Sequence, residues 1–254
     1  MARNYTTDAI NLRSYDLSDD DKIIVMYSKD KGLIRSVAKG VKRPKSKLGA
    51  RMDLLVANTL QFAKGKNLDT ICQAQTINSF IKIRKDILKL LSSSYISEIV
   101  AFFGVENDPS SNRIYSLLYS ALNKICISTE KKDILISVIK FQLKIMLILG
   151  IIPEFNTCLE CGNKITEEDM YFSKEHCGVF CKACNSKLHV PVKLPYKLRD
   201  FLNAMLNYDF DYISDYDKKA TDKVCIVCFK FLKDYLSTHC DKTFKTEKSL
   251  VEIL

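Results

Sequence analysis

The sequence predicts an α+β chain: a strand-only segment over residues 1–80, then an all-α domain over 81–254 with a four-cysteine zinc finger inserted at about 155–190. Three observations predict it. Five short runs rich in Ile, Val, Thr and aromatic residues fill the first eighty positions. From Ser79 onward, apolar residues recur instead at three- and four-residue steps. Two Cys-x-x-Cys pairs then interrupt that pattern.

The strand runs lie at 6–15, 22–27, 33–38, 53–62 and 70–77. They are bounded by Asp-Asp-Asp at 19–21, Lys-Asp-Lys-Gly at 29–32, a basic Pro-containing loop at 40–50, and Lys-Gly-Lys-Asn at 64–67. β-Branched runs at this spacing predict a small antiparallel barrel or sandwich. Five strands closing on themselves is the strand count of the OB-fold.

The first helix carries Ile83, Ile87, Leu90, Leu91, Tyr95, Ile99 and Phe102, an amphipathic series. Gly104, Asn107 and Pro109 end it. Ile114, Leu117, Leu118, Leu122 and Ile125 mark a second helix, and residues 131–149 a third. The third is apolar on nearly every side in its second half, which predicts a place in the centre of a bundle. Gly150 and Pro153 stop it. Residues 155–190 have little periodicity. Beyond Pro195, helices are expected around 198–206, 224–238 and 249–254.

With 47% hydrophobic and 27% charged residues over 254 positions, the chain is neither disordered nor fibrous. The longest apolar run, 145–153, falls short of the roughly 20 residues a membrane helix needs. The first twenty residues lack a secretory apolar stretch, so a cytoplasmic, nucleoid-associated location without membrane contact is expected. The closest pair among the eight glycines is eight positions apart. That spacing leaves no room for either glycine-rich nucleotide loop. No His-Glu-x-x-His is present either, and no catalytic role is expected.

The net charge of +9 is unevenly placed. Residues 1–80 carry 14 Lys/Arg against 8 Asp/Glu, whereas residues 158–254 are balanced at 15 each. Within 31–51 there are eight cations and no acid: Lys31, Arg35, Lys39, Lys42, Arg43, Lys45, Lys47 and Arg51. Such a field suits a polyanion. Gly40 would let backbone approach it closely, and Ser46 adds a hydroxyl donor. Stacking aromatics are sparse: Tyr15, Tyr27 and Phe62, any of which could be core.

Cys158 and Cys161, then Cys181 and Cys184 nineteen residues further on, have the spacing of two zinc knuckles. Four thiolates complete a tetrahedral shell and leave no open position, so a bound ion would be structural. His176 or Cys177 could instead replace one ligand. Cys225, Cys228, Cys126 and Cys72 are expected as small buried hydrophobes. His239 and Cys240 are expected at a helix end.

The stretch YDLSDDDKIIVMYSKDKGLIRSVAKGVKRPKS, the junction LILGIIPEFNTCLECG, the later CGVFCKAC and the tail TEKSLVEIL together resemble the RecO family of bacterial DNA repair proteins. One departure is Cys177-Gly178, where the family usually has Gly-Gly. The resemblance implies an N-terminal OB-fold, a helical domain and one structural Zn2+ at Cys158, Cys161, Cys181 and Cys184. It implies a recombination mediator that binds single- and double-stranded DNA and anneals complementary strands. With RecR, such a mediator helps load RecA onto strands coated by single-stranded-DNA-binding protein, whose acidic-apolar C-terminal tail it recognises. Arg35, Lys39, Lys42, Arg43, Lys45, Lys47 and Arg51 would meet DNA. Arg113, Lys140 and Lys144 would meet the tail. The competing readings are a zinc-ribbon transcription or RNA-processing factor, and an enzyme using Cys177 beside His176.

Overall fold

A computed structural model describes residues 4–166, 169–188 and 192–254. Five strands come first: β1 (Asn4–Asp16), β2 (Lys22–Ser28), β3 (Gly32–Ala38), β4 (Ala57–Ala63) and β5 (Asp69–Asn78). Helices α1 (Ile87–Phe103), α2 (Ser111–Ile127) and α3 (Lys131–Leu149) follow. Next are β6 (Glu154–Cys158), β7 (Asp169–Ser173), β8 (Gly178–Cys181), α4 (Lys182–Leu188) and β9 (Val192–Pro195). The chain ends with α5 (Tyr196–Asn207), α6 (Asp215–Lys219), α7 (Asp222–Cys240) and α8 (Lys245–Ile253).

The first five strands close into a barrel in the order β1-β2-β3-β5-β4, the OB-fold expected from the strand count. All neighbours are antiparallel except β3 and β5, which meet in parallel at Ser36–Asp69 and Val37–Thr70. A register shift between Asn11 and Arg13 bends β1, letting it pair with β4 through one half and β2 through the other. Ala9, Ile24, Met26, Ile34, Leu60, Phe62 and Ile71 fill the interior.

β4 starts at Ala57 rather than at 53, and a polar device explains why. The Asn11 amide donates to the carbonyls of Arg51 and Asp53, and Asn58 donates to Arg51 as well. These bonds hold residues 51–55 as a turn, with Leu55 at φ 63.

The chain divides into two compact units. The first runs through Ser128 and includes Phe244–Ile253. It extends past the change of period at residue 80 because α1, α2 and α8 pack on the barrel or on one another. Glu98 on α1 binds the first turn of α8, accepting from the backbone N–H groups of Lys245 and Thr246 at 3.0 Å each. Burial opposes its ionisation, but these donors and Arg13 outweigh it and hold the carboxyl low.

The second unit spans Thr129–Thr243. α3 is its axis, packed by α5 and α7, with Ile134, Leu135, Val138, Ile139, Phe141, Ile145 and Met146 buried. Gly150 at φ 73 closes the helix, and the Ile151 N–H returns to the Met146 carbonyl at 2.9 Å. The segment without periodicity forms a four-stranded sheet of order β6-β8-β7-β9, continued by α4. Phe172 of this sheet packs on Phe231 at 4.7 Å and Tyr235 at 5.9 Å, both on α7. Residues 189–190, the end of the expected insertion, lie outside the described residues.

Lys140 on α3 is only 1% exposed. Its ammonium pairs with Asp217 at 3.2 Å and donates to the carbonyls of Asp209 and Tyr212 at 3.1 Å each. Asp217 also completes the capping box of α6 with Ser214. One buried ion pair thus pins the connection from α5 to α6 onto α3. Removing one partner strands the other charge, so Lys140→Ala is expected to lower the stability of this unit by about 3–5 kcal/mol, read by urea denaturation.

Candidate metal centre and nucleic-acid interface

The Sγ atoms of Cys158, Cys161, Cys181 and Cys184 all lie within 4.8 Å of one another. Thiolates at about 2.3 Å from a tetrahedral ion sit about 3.8 Å apart, so the donor set fits such an ion. Among the described residues this is the only group of three or more metal-type side chains. Local backbone builds it. Cys158 ends β6, its N–H bonded to Asn163, and the Gly162 N–H returns to the Cys158 carbonyl at 2.9 Å. Gly162 has φ 70 with open space around it, so the turn requires its left-handed backbone rather than its small size. Cys181 ends β8, its N–H directed at the Cys158 sulfur at 3.4 Å. α4 then presents Cys184.

Burial works against ionising Cys158, but N–H groups of Cys161, Cys181 and Glu160 outweigh it and bring the thiol down to about 6. Hydrogen bonding to Cys181, then burial, push Cys184 up to about 12. Without a cation, one thiol of the cluster ionises readily while another keeps its proton. A metal ion removes that conflict by holding all four as thiolates.

His176 and Cys177 stand outside this cluster. His176 Nδ1 faces the Ser173 hydroxyl at 2.9 Å, and Cys177 Sγ faces His239 Nε2 at 3.1 Å. The sequence neighbours are therefore not each other's partners. Cys177 has φ 60, a left-handed conformation that costs a non-glycine residue about 1–2 kcal/mol. A Cβ on Gly178 beside it would lie 2.8 Å from Leu159 Cδ1, so the exposed Leu159 side chain would have to shift. Burial pushes Cys225 up to about 12 and Cys228 upward too, so both are inert core thiols, as is buried Cys126. Cys72 departs from expectation: it is exposed on β5, on the outer side of the barrel.

The basic connection after β3 divides into two groups of cations. Lys42 pairs with Asp16 at 3.0 Å and donates to the Ser18 carbonyl at 2.9 Å. Arg43 pairs with Asp20 at 2.8 Å. Backbone bonds from Gly40 to the Asp21 carboxylate at 2.7 Å and from Lys42 to the Asp20 carbonyl at 3.0 Å complete the attachment. Lys42 and Arg43 thus fasten the loop to the β1–β2 turn. Arg35, Lys39, Lys45 and Lys47 are exposed with no carboxylate partner among the described residues. Arg51 is exposed as well, its guanidinium donating to the Lys47 carbonyl. Arg35 also lines a polar pocket of about 310 Å³ with Lys31, Lys64 and Tyr5, and Lys64 comes from the β4–β5 turn, which the sequence marks only as a boundary. Tyr27 and Phe62 are core, whereas Tyr15 is 53% exposed.

Lys140, expected at a partner surface, is enclosed in its ion pair and is removed from the available cations. Lys144 lies 3.6 Å from Asp209, and Arg113 is exposed on α2 of the first unit. A feature that sequence reasoning misses is an apolar cleft of about 300 Å³ in the second unit. It is lined by Pro195, Leu198, Val224 and Val227 and flanked by Lys197 and Lys223. Its only signal in the sequence is the pair of apolar positions 224 and 227 at the start of α7, both exposed in the fold.

A closed five-stranded barrel with a basic connection, followed by helices and a small sheet whose strand ends bring four thiols together, defines an OB-fold protein with a cysteine cluster that could hold a metal ion. The family description "Recombination protein O N terminal" matches residues 1–80, and "Recombination protein O C terminal" matches 84–248. The chain belongs to the recombination protein O family. It is 27% identical over 242 residues to the DNA repair protein RecO of Desulforamulus reducens, covering 95% of this chain and 92% of that one. To the DNA repair protein RecO of Caldanaerobacter subterraneus it is 30% identical over 248 residues, covering 95% of each. Among the described residues no helix is long and apolar enough to cross a membrane.

The cluster geometry yields an expected outcome. Elemental analysis should find about one metal ion per chain. Cys161→Ser should lose it, while Cys177→Ser should keep it. Metal loss in the Cys177 variant alone would place that thiol in the shell.

Proposed function

We propose that this chain is a DNA-repair recombination mediator that carries one structural Zn2+ and works by charge neutralisation rather than catalysis. The observation that carries the reading is the row of exposed cations Arg35, Lys39, Lys45 and Lys47, without carboxylate partners among the described residues, on an OB-fold barrel. Such a surface neutralises phosphates without reading bases. Two strands held on it repel each other less, and base pairing between them supplies the specificity of annealing. Lys42 and Arg43 hold the loop in place and meet DNA only at the cost of their carboxylate partners. Arg51 adds to the same patch. Zn2+ suits the four thiolates, since all-sulfur tetrahedral sites are typical of structural zinc.

In this reading RecR and RecA act with the chain on single strands coated by single-stranded-DNA-binding protein. The acidic-apolar tail of that protein would require an apolar groove flanked by cations. The cleft between Lys197 and Lys223 supplies both. Arg113 and Lys144 remain exposed or half-exposed alternatives.

Replacing Lys39, Lys45 and Lys47 together with Ala should weaken single-stranded DNA binding and flatten its salt dependence. The slope of log K against log salt should fall by about 2, from roughly 0.7 per phosphate contact. The Lys42/Arg43 double variant should change the slope less. An unchanged slope in the triple variant would place the DNA path elsewhere. For the tail, fluorescence anisotropy with a labelled acidic-apolar peptide should show about tenfold weaker binding to Lys197→Glu/Lys223→Glu, with bare-strand annealing intact. Unaltered peptide affinity would move the tail away from this cleft.

A further inference from the structure

Cys177, unlike the other exposed or half-buried thiols, faces a histidine. It sits in the turn between β7 and β8, half-buried, with its sulfur 3.1 Å from His239 Nε2 on α7. The same nitrogen lies 2.7 Å from the Tyr235 hydroxyl, and that hydroxyl donates to the Ile151 carbonyl at 2.8 Å. With its hydrogen directed at Ile151, the Tyr235 oxygen faces His239 as an acceptor. Nε2 therefore stands between two acceptors, a phenol oxygen and a sulfur, and the proton belongs on Nε2. Once Cys177 gives up its own proton, that Nε2–H is already placed to stabilise the thiolate. The ring of His239 is exposed, so water reaches the sulfur–imidazole contact. Lys174 reaches toward Asp234 at 3.9 Å, a second tie between the turn and α7.

We propose that Cys177, His239 and Tyr235 form a thiol-modification site, separate from the metal cluster, whose substrates are small disulfides of low-molecular-weight thiols. Cys177 loses its proton to water, and the Nε2–H of His239 donates to the thiolate that forms. The thiolate attacks one sulfur of the disulfide, its S–S bond breaks, and a new S–S bond forms at Cys177. The departing thiolate takes a proton from water and leaves as a thiol. The adduct displaces the sulfur from His239 and loosens the β7–β8 turn from α7.

The other thiols lack this arrangement. Exposed Cys72 has only the Thr70 carbonyl, 3.6 Å away. Cys240 is held protonated, chiefly by burial, and Cys225 and Cys228 are buried in the core. His239 functions here as a positioning residue that donates a hydrogen bond to the thiolate, and Tyr235 fixes its orientation.

The test uses the full, metal-loaded chain with oxidised glutathione, followed by peptide mass mapping and metal analysis. Cys177 should carry the first adduct, at a rate at least about tenfold above Cys72, with the metal retained. His239→Gln should slow Cys177 by about tenfold and leave Cys72 unchanged. In denaturing urea the advantage of Cys177 over Cys72 in the unsubstituted chain should vanish, a comparison that requires no folded variant. Equal rates at Cys177 and Cys72 in the folded chain, or first adducts on the four cluster thiols with loss of metal, would overturn the proposal. So would a folded His239→Gln chain that reacts at Cys177 as fast as the unsubstituted one.

Discussion

Closure of the barrel governs where the basic connection lies. β4 pairs with β1 and β5, so the chain leaving β3 cannot turn straight back into the next strand. It must cross from one side of the barrel to the other, and residues 39–56 make that crossing. A connection of this length ordinarily carries an entropic cost and a set of unpaired backbone groups. Here both are handled by polar contacts. Asp16 at the end of β1, with Asp20 and Asp21 in the β1–β2 turn, binds its start, and Asn11 and Asn58 bind its end. Between these anchors the chain is free to present Lys45 and Lys47 outward. The barrel's topology therefore creates the platform, and its acids and amides give the platform its shape.

The second unit meets a different constraint. Its sheet has strands of four or five residues, too short to hold together by backbone pairing alone. Two devices compensate. Phe155, Phe172 and Phe231 bury one side of the sheet against α7. At the ends of β6 and β8, four thiols converge where like charges would repel unless a cation sits among them. Metal binding and local folding are one equilibrium in such a place.

Much of this was legible in the sequence. The five strands showed in β-branched runs, α3 in its all-round apolar character, and the four-thiol cluster in the spacing of its Cys pairs. The sheet β6–β9 was not legible, because four-residue strands carry too few alternations to register against the noise of a cysteine-rich segment. The fate of Lys140 was half legible: a lone cation amid Ile139, Phe141 and Leu143 on a buried helix needs an internal partner, but Asp217 is 77 positions away. The Cys177–His239 contact spans 62 positions and left no local trace at all. Adjacency in sequence pointed to His176 instead, and that side chain turns to Ser173.

The pairing of Lys42 and Arg43 shows how charge counts mislead and how register corrects them. β2 and β3 are antiparallel with Lys22 opposite Ala38, so residues just after β3 must lie beside residues just before β2. The first are basic and the second acidic. Their attraction across a hairpin edge follows from strand register, and it gives two surface cations carboxylate partners before any ligand arrives. Lys140 is withdrawn in the same way by Asp217. Net charge sets the long-range field that draws a polyanion in. In the proposed reading, the cations without internal partners decide where it is held. In this chain those two quantities differ, and the exposed set clusters on and just beyond β3.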